Sequence, residues 1–153
     1  MTTHRSRTTT RTLVAALAAA AFLATTASAS DATLKATLDL WSAKIAADAR
    51  AVSLDARQRH PRRMTTDAVH FRRDALLART AISARRASSA KGRRAKLLAL
   101  SAYTDYAKAG AHWAASGRAR VAHRLVLAAG EARTATTYAR AGNRLLVAAG
   151  TLL

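Results

Sequence analysis

Arg72, Arg79 and Arg86 stand seven residues apart, a spacing that on an α-helix keeps all three within about 40° of one another. A row of guanidinium groups can track the oxyanions of a polyanion, because each presents a planar fork of donors that fits phosphate or carboxylate. Doublets at Arg62-Arg63, Arg72-Arg73, Arg85-Arg86 and Arg93-Arg94 extend the constellation. Together these residues are the candidate anion-binding site. The competing reading is structural: the row falls on the flank of its helix's apolar stripe, where arginine stems cover a core while their heads reach neighbouring acids.

Other chemistry finds little support. A hydrolase needs a nucleophile, a base and an orienting acid, or two carboxylates facing across a cleft. Beyond the first thirty residues the acids are Asp31, Asp39, Asp48, Asp55, Asp67, Asp74, Asp105 and Glu131, without a paired motif. Asp48 and Asp55 share a helix face at i, i+7 but lie about 10 Å apart along it, which suits neither mechanism. Asp48 sits close to an apolar stripe and is expected to pair with an arginine of a neighbouring helix, fixing the register. His60, His70, His112 and His123 are never i, i+4 from one another, although His70 and Asp74 are. A metal or enzymatic reading therefore survives only if the fold gathers His70, Asp74, His112 and His123. The absence of cysteine excludes disulfides, thiolate zinc sites, iron–sulfur clusters and thiol nucleophiles. Neither a glycine-rich phosphate loop, a Gly-x-Ser-x-Gly elbow nor a dinucleotide fingerprint occurs. The expectation is a protein that is not an enzyme and uses no metal or cofactor.

The elements that must position the arginines are helices. Of 153 residues 42 are alanine, the strongest helix former, and there is one proline. Leu34, Leu38, Trp41, Ile45 and Val52 recur in steps of three or four and mark a first helix over 31–60, ended by Pro61. Ala68, Phe71, Ala75, Ala78 and Ile82 mark a second over about 66–88, with Thr65, Thr66 or Asp67 as its cap. Residues 88–92 read as a turn in which Gly92 suits a left-handed cap. A third helix begins near Arg93, carries Leu98, Ala102, Tyr106, Ala109 and Trp113, is weakened by Gly110 and ends around Ser116-Gly117. In the last segment, 118–153, the stripe is Ala122, Leu125, Ala129, Ala132, Thr136, Ala139, Leu146 and Ala149. It forms one long helix or one broken near Gly130 or Gly142. The predicted fold is all-α, an antiparallel up-down four-helix bundle. Segments 119–130 and 139–150 also resemble each other at an offset of twenty residues, which makes a structural repeat only if the helix breaks between them.

Residues 1–29 have the layout of a cleaved signal peptide: Arg5, Arg7 and Arg11 without an acid, an uncharged apolar run over 13–24, and Ala27-Ser28-Ala29 before the cleavage point. The apolar run spans only about 18 Å, short of a bilayer's hydrocarbon core. A secreted or extracytoplasmic domain of residues 30–153 is expected, with cleavage after Ala29. The whole chain carries +18, and without Arg5, Arg7 and Arg11 the remainder keeps 23 basic against 8 acidic residues, or +15. Eight acids cannot neutralise that excess internally. The expected partners are an anionic envelope polymer or lipid head groups, bound electrostatically; sequence-specific nucleic-acid binding is disfavoured by export and by the spread of the basic residues. The alternative is an interaction module or homodimer formed through the alanine-rich seams and the Leu-rich C-terminus, Leu145-Leu146 and Leu152-Leu153.

Overall fold

The computed structural model describes residues 9–153, with side chains from residue 29 onward. Four helices follow one another: α1 (Thr9–Arg57), α2 (Pro61–Ala84), α3 (Ala90–Val121) and α4 (Leu125–Gly150), with no strand among the described residues. The predicted signal peptide, residues 1–29 with cleavage after Ala29, lies outside the described residues apart from the helical backbone that begins at Thr9.

Each predicted helix is present, with corrected ends. α2 starts at Pro61, not at the Thr65–Asp67 cap, because a proline at the first helical position lacks only an N–H that would have no helical partner there. It stops at Ala84, short of the predicted 88, where Arg85 turns extended. Lys96 of α3 holds that stop, its ammonium donating to the carbonyls of Ser83 and Arg85 at 2.6 Å each. At the α2–α3 turn Ser89 is the N-cap and accepts from the Gly92 N–H at 2.8 Å, so Gly92 is a residue of α3, not a left-handed cap. Asp31 of α1 lies against Gly92 and accepts from the Ser88 N–H at 3.1 Å, which pins α1 to this turn.

α3 passes through Gly110, Ser116 and Gly117 to Val121, past its predicted end. The glycines serve close approach. A methyl at Gly110 would stand 2.8 Å from the Arg72 Cβ, and one at Gly117 2.9 Å from the Pro61 carbonyl oxygen. α4 starts only at Leu125, after a turn over 122–124, and runs unbroken through Gly130 and Gly142. That turn falls inside the first of the two similar segments, so the twenty-residue similarity is not a structural repeat. The predicted stripe on α4 is also rotated: the buried residues are Ala128, Ala135, Gly142 and Ala149, and only the last belongs to it. The seam with α3 is so close that it selects the smallest side chains and leaves the leucines at the rim; a methyl at Gly142 would meet the Ala102 carbonyl at 2.9 Å.

Contacts pair residues in descending order along successive helices, as in Gly110 with Arg72 and Gly117 with Thr65, so neighbouring helices run in opposite directions. α3 packs broadly on α2 and α4, α1 packs on α2, and α1 touches α3 only slightly. The core joins Leu34, Leu38, Ile45 and Val52 of α1 to Phe71, Ile82 and Tyr103 amid alanines. At its centre the Phe71 ring meets Tyr106 and Trp113 edge-on, with centroids 5.8 and 5.2 Å away. The side between α1 and α4 stays open as a groove of about 660 Å³ floored by Tyr106.

Candidate functional site

All the predicted arginines are exposed, but they do not share one surface. Arg62 and Arg63 lie in the first turn of α2, Arg72, Arg73 and Arg79 along it, Arg85 and Arg86 just beyond its C-terminus, and Arg93 and Arg94 near the start of α3. At 1.5 Å per residue, Arg62 and Arg85 are roughly 35 Å apart. The heptad row loses Arg86, because α2 ends two residues before it. Arg72 and Arg79 remain a pair, lining a cleft of about 400 Å³ between α2 and α3 with Lys108. Arg93 turns back to the Ser88 carbonyl.

The acids are engaged elsewhere. Asp39 pairs with Lys35 at 3.0 Å and Asp105 with Lys108 at 3.9 Å. Asp74, only 2% exposed, is held by Lys44 of α1 at 2.8 Å and by its neighbour Arg73 at 3.2 Å. Among the described residues Arg73 is the one arginine within 4.0 Å of a carboxylate, leaving the other predicted arginines unpaired.

Asp48 does not make the expected arginine pair. It faces Asp74 across the α1–α2 seam, and its Oδ2 is buried without a hydrogen-bond partner. One heptad away Asp67 of α2 faces Asp55 of α1 in the same manner. The carboxyls of Asp48 and Asp67 are both pushed above the ordinary aspartate range, first by burial and then by the facing aspartate, while Lys44 opposes the rise at Asp48. Burial also pushes Asp74 up, but hydrogen bonds from Lys44 and Arg73 outweigh it and hold that carboxyl low. Spacing alone shows 48/55 and 67/74 as matching i, i+7 pairs; that they face each other is set by helix rotation.

His70, Asp74, His112 and His123 are not gathered. His112 Nδ1 lies 2.6 Å from Glu131 of α4 and its ring stacks on Tyr138 at 5.6 Å, whereas His123 sits in the α3–α4 turn. Among the described residues no group of three or more His, Cys, Asp or Glu side chains is disposed to hold a metal ion.

The structure does assemble one basic cluster that the sequence does not show as a unit. At the end of the molecule where residues 58–60 and 122–124 turn, Arg59, His60, Arg62, Arg63, Arg120 and His123 line a cleft of about 510 Å³. Among the described residues, Arg59 and His123, at φ 58° and 56°, are the two non-glycine residues with left-handed backbone. They are the middle residues of two three-residue connections, which thereby reverse the chain side by side. The sequence signal was a run of Arg and His at two turns 64 residues apart, invisible as a cluster until the turns are placed together. No protein family, characterised protein or solved structure matches the chain.

Proposed function

We propose that this chain is an exported, non-enzymatic binding protein of the cell envelope whose arginines contact an anionic polymer or lipid surface. The observation that carries this reading is the division of labour among charges. Five of the eight acids, Asp39, Asp55, Asp74, Asp105 and Glu131, are met by Lys35, Lys44, Lys108, His60, His112 and the single arginine Arg73, so the other described arginines stand exposed without a carboxylate partner. The signal-peptide layout of residues 1–29 supports export. Attraction without a deep cleft of converging polar groups supports electrostatic, low-specificity binding.

Sedimentation of the purified chain with an anionic wall polymer or with phosphatidylglycerol vesicles, at roughly 50 and 300 mM salt, tests it. Binding at low salt that is lost at high salt is expected, and Arg72→Gln with Arg79→Gln should weaken it. Absence of binding to either probe at low salt sinks the reading.

A second reading, a homodimer or partner module, has one observation in its favour. The alanines of the seams are consumed inside the molecule, and Leu152 and Leu153 pack on its own core. The α1–α4 groove, lined by Ile45, Ala46, Ala49, Leu146 and the exposed Val147, remains open to another helix. An oligomer that persists at both salt concentrations favours this reading instead.

A further inference from the structure

We propose that the end of the molecule formed by the turns 58–60 and 122–124 is a membrane-contacting tip, which takes the phosphate head groups of an anionic lipid bilayer while Val121, Leu125 and Val126 enter its interface. It rests on the reading of the chain as a binder of anionic surfaces and adds both the place and the partner.

Charge at this tip complements the C-termini of α1 and α3, whose last turns carry Arg57 and Arg120, but opposes the N-termini of α2 and α4. Helix N-termini carry partial positive charge and favour acids in the first turn. Neither α2 nor α4 has an acid there; Arg62 and Arg63 occupy the first turn of α2, and Arg124 is the N-cap of α4. Neither N-cap, His60 or Arg124, accepts a hydrogen bond with its side chain, so the first backbone N–H groups of both helices stay open. Arg59 and Arg120 add two more cations at the cleft. Among the residues lining this end the one acid is Asp55, which is buried, lies 3.7 Å from His60 and faces Asp67. The partial charges of these two N-termini are offset by those of the α1 and α3 C-termini at the same turns, so the charge of this end is that of its five arginines, which stand without an exposed acid among the lining residues, an arrangement that a layer of phosphates neutralises.

Apolar exposure at the same place selects a lipid over a soluble polyanion. Leu125 is 67% and Val126 87% exposed, and Val121 on the neighbouring helix is 41% exposed. Val121 lines the arginine cleft and Leu125 the adjoining one. Wall polymers and nucleic acids offer such side chains nothing, whereas a bilayer offers phosphates at the surface and acyl chains just below. Among the described residues no helix is long and apolar enough to cross a membrane, so the contact is interfacial.

The chain has no cysteine, so Val126→Cys and, at the opposite end of α4, the exposed Ala148→Cys each accept one polarity-sensitive fluorophore in the full chain. Vesicles of phosphatidylglycerol and phosphatidylcholine should brighten the label at 126 at least about threefold, with quenching by spin-labelled acyl chains, and leave the label at 148 nearly unchanged. Leu125→Asp with Val126→Asp, at exposed positions that do not disturb the core, should lower vesicle partitioning by about tenfold or more. Replacing Arg62 and Arg63 by Gln should lower it too. A response at 148 and not at 126 overturns the tip and leaves the broader anionic-surface reading standing. Binding to soluble polyphosphate without any label response to vesicles overturns the lipid assignment alone. If neither vesicles nor polyphosphate bind, both readings fall.

Discussion

Asp48 carries a cost that the fold has not relieved. Its Oδ2 is buried without a partner, and Asp74 faces it with its charge maintained by Lys44 and Arg73. Because the folded-state pKa of Asp48 is raised, the folded chain holds an extra proton between the ordinary aspartate value near ~4 and that raised value, and stability falls as pH rises through this window. Above it the penalty is fully present. Asp48→Asn should therefore stabilise the protein at pH 7 by about 1 kcal/mol, with the gain shrinking to nothing below about pH 4. Urea unfolding at several pH values measures this; a variant that is equally or less stable at pH 7 refutes it. Asp74 has the opposite sign, since its pKa is lowered: its contribution is full above the ordinary value and disappears as pH falls through the folded one. The sequence shows Asp48 and Asp55 on one face of α1, but not that Asp74 and Asp67 lie across from them.

Among the helices, small residues decide where the chain can approach itself. Glycine inside a helix ordinarily costs up to about 1 kcal/mol against alanine. At Gly130 nothing lies within 4 Å of an added methyl, so Gly130→Ala should stabilise by about 0.5–1 kcal/mol. At Gly110 the methyl would meet the Cβ and backbone N of Arg72 at 2.8 and 2.9 Å, so Gly110→Ala should destabilise by about 1–3 kcal/mol as α2 and α3 are pushed apart. Thermal unfolding of both variants checks the opposite signs; a gain at Gly110 would mean that the α2–α3 seam is looser than described. Helix α2 was legible, with Ala68, Phe71, Ala75, Ala78 and Ile82 all buried where the periodicity put them. Helix α4 was not, because its alanines are spread around every face and periodicity by residue size pointed to the rim instead of the seam.

At the scale of the molecule, attachment is uneven. α3 lies between α2 and α4, whereas α1 leans on α2, barely touches α3 and borders the open groove toward α4. Its docking seam also contains the two facing aspartate pairs. Amide hydrogens in residues 35–57 should consequently exchange at least about tenfold faster than those in the middle of α3 under native conditions, because opening α1 exposes the least packed surface. Exchange by mass spectrometry after proteolysis measures this. Uniform protection across the four helices would show that α1 opens only with the whole fold. The charge excess belongs to this scale as well, since eight acids cannot neutralise 26 lysines and arginines anywhere along the chain.

By itself the sequence determined that the protein is helical, that it has four helices turning near Pro61 and Ser88-Ser89, and that its positive charge exceeds what its acids can match. These properties follow from helix propensity, from apolar spacing within single segments and from counting, all of which are local or additive along the chain. Tertiary structure alone decided that Asp48 meets Asp74, that α4 turns its alanine heptad inward, and that Arg59, Arg62, Arg63, Arg120 and Arg124 gather at one end beside Leu125 and Val126. Those outcomes depend on the rotation and register of one helix against another. Where the seams are made of alanine and glycine, rotation and register are set by the closest approach of backbones, and one-dimensional periodicity carries almost no record of that.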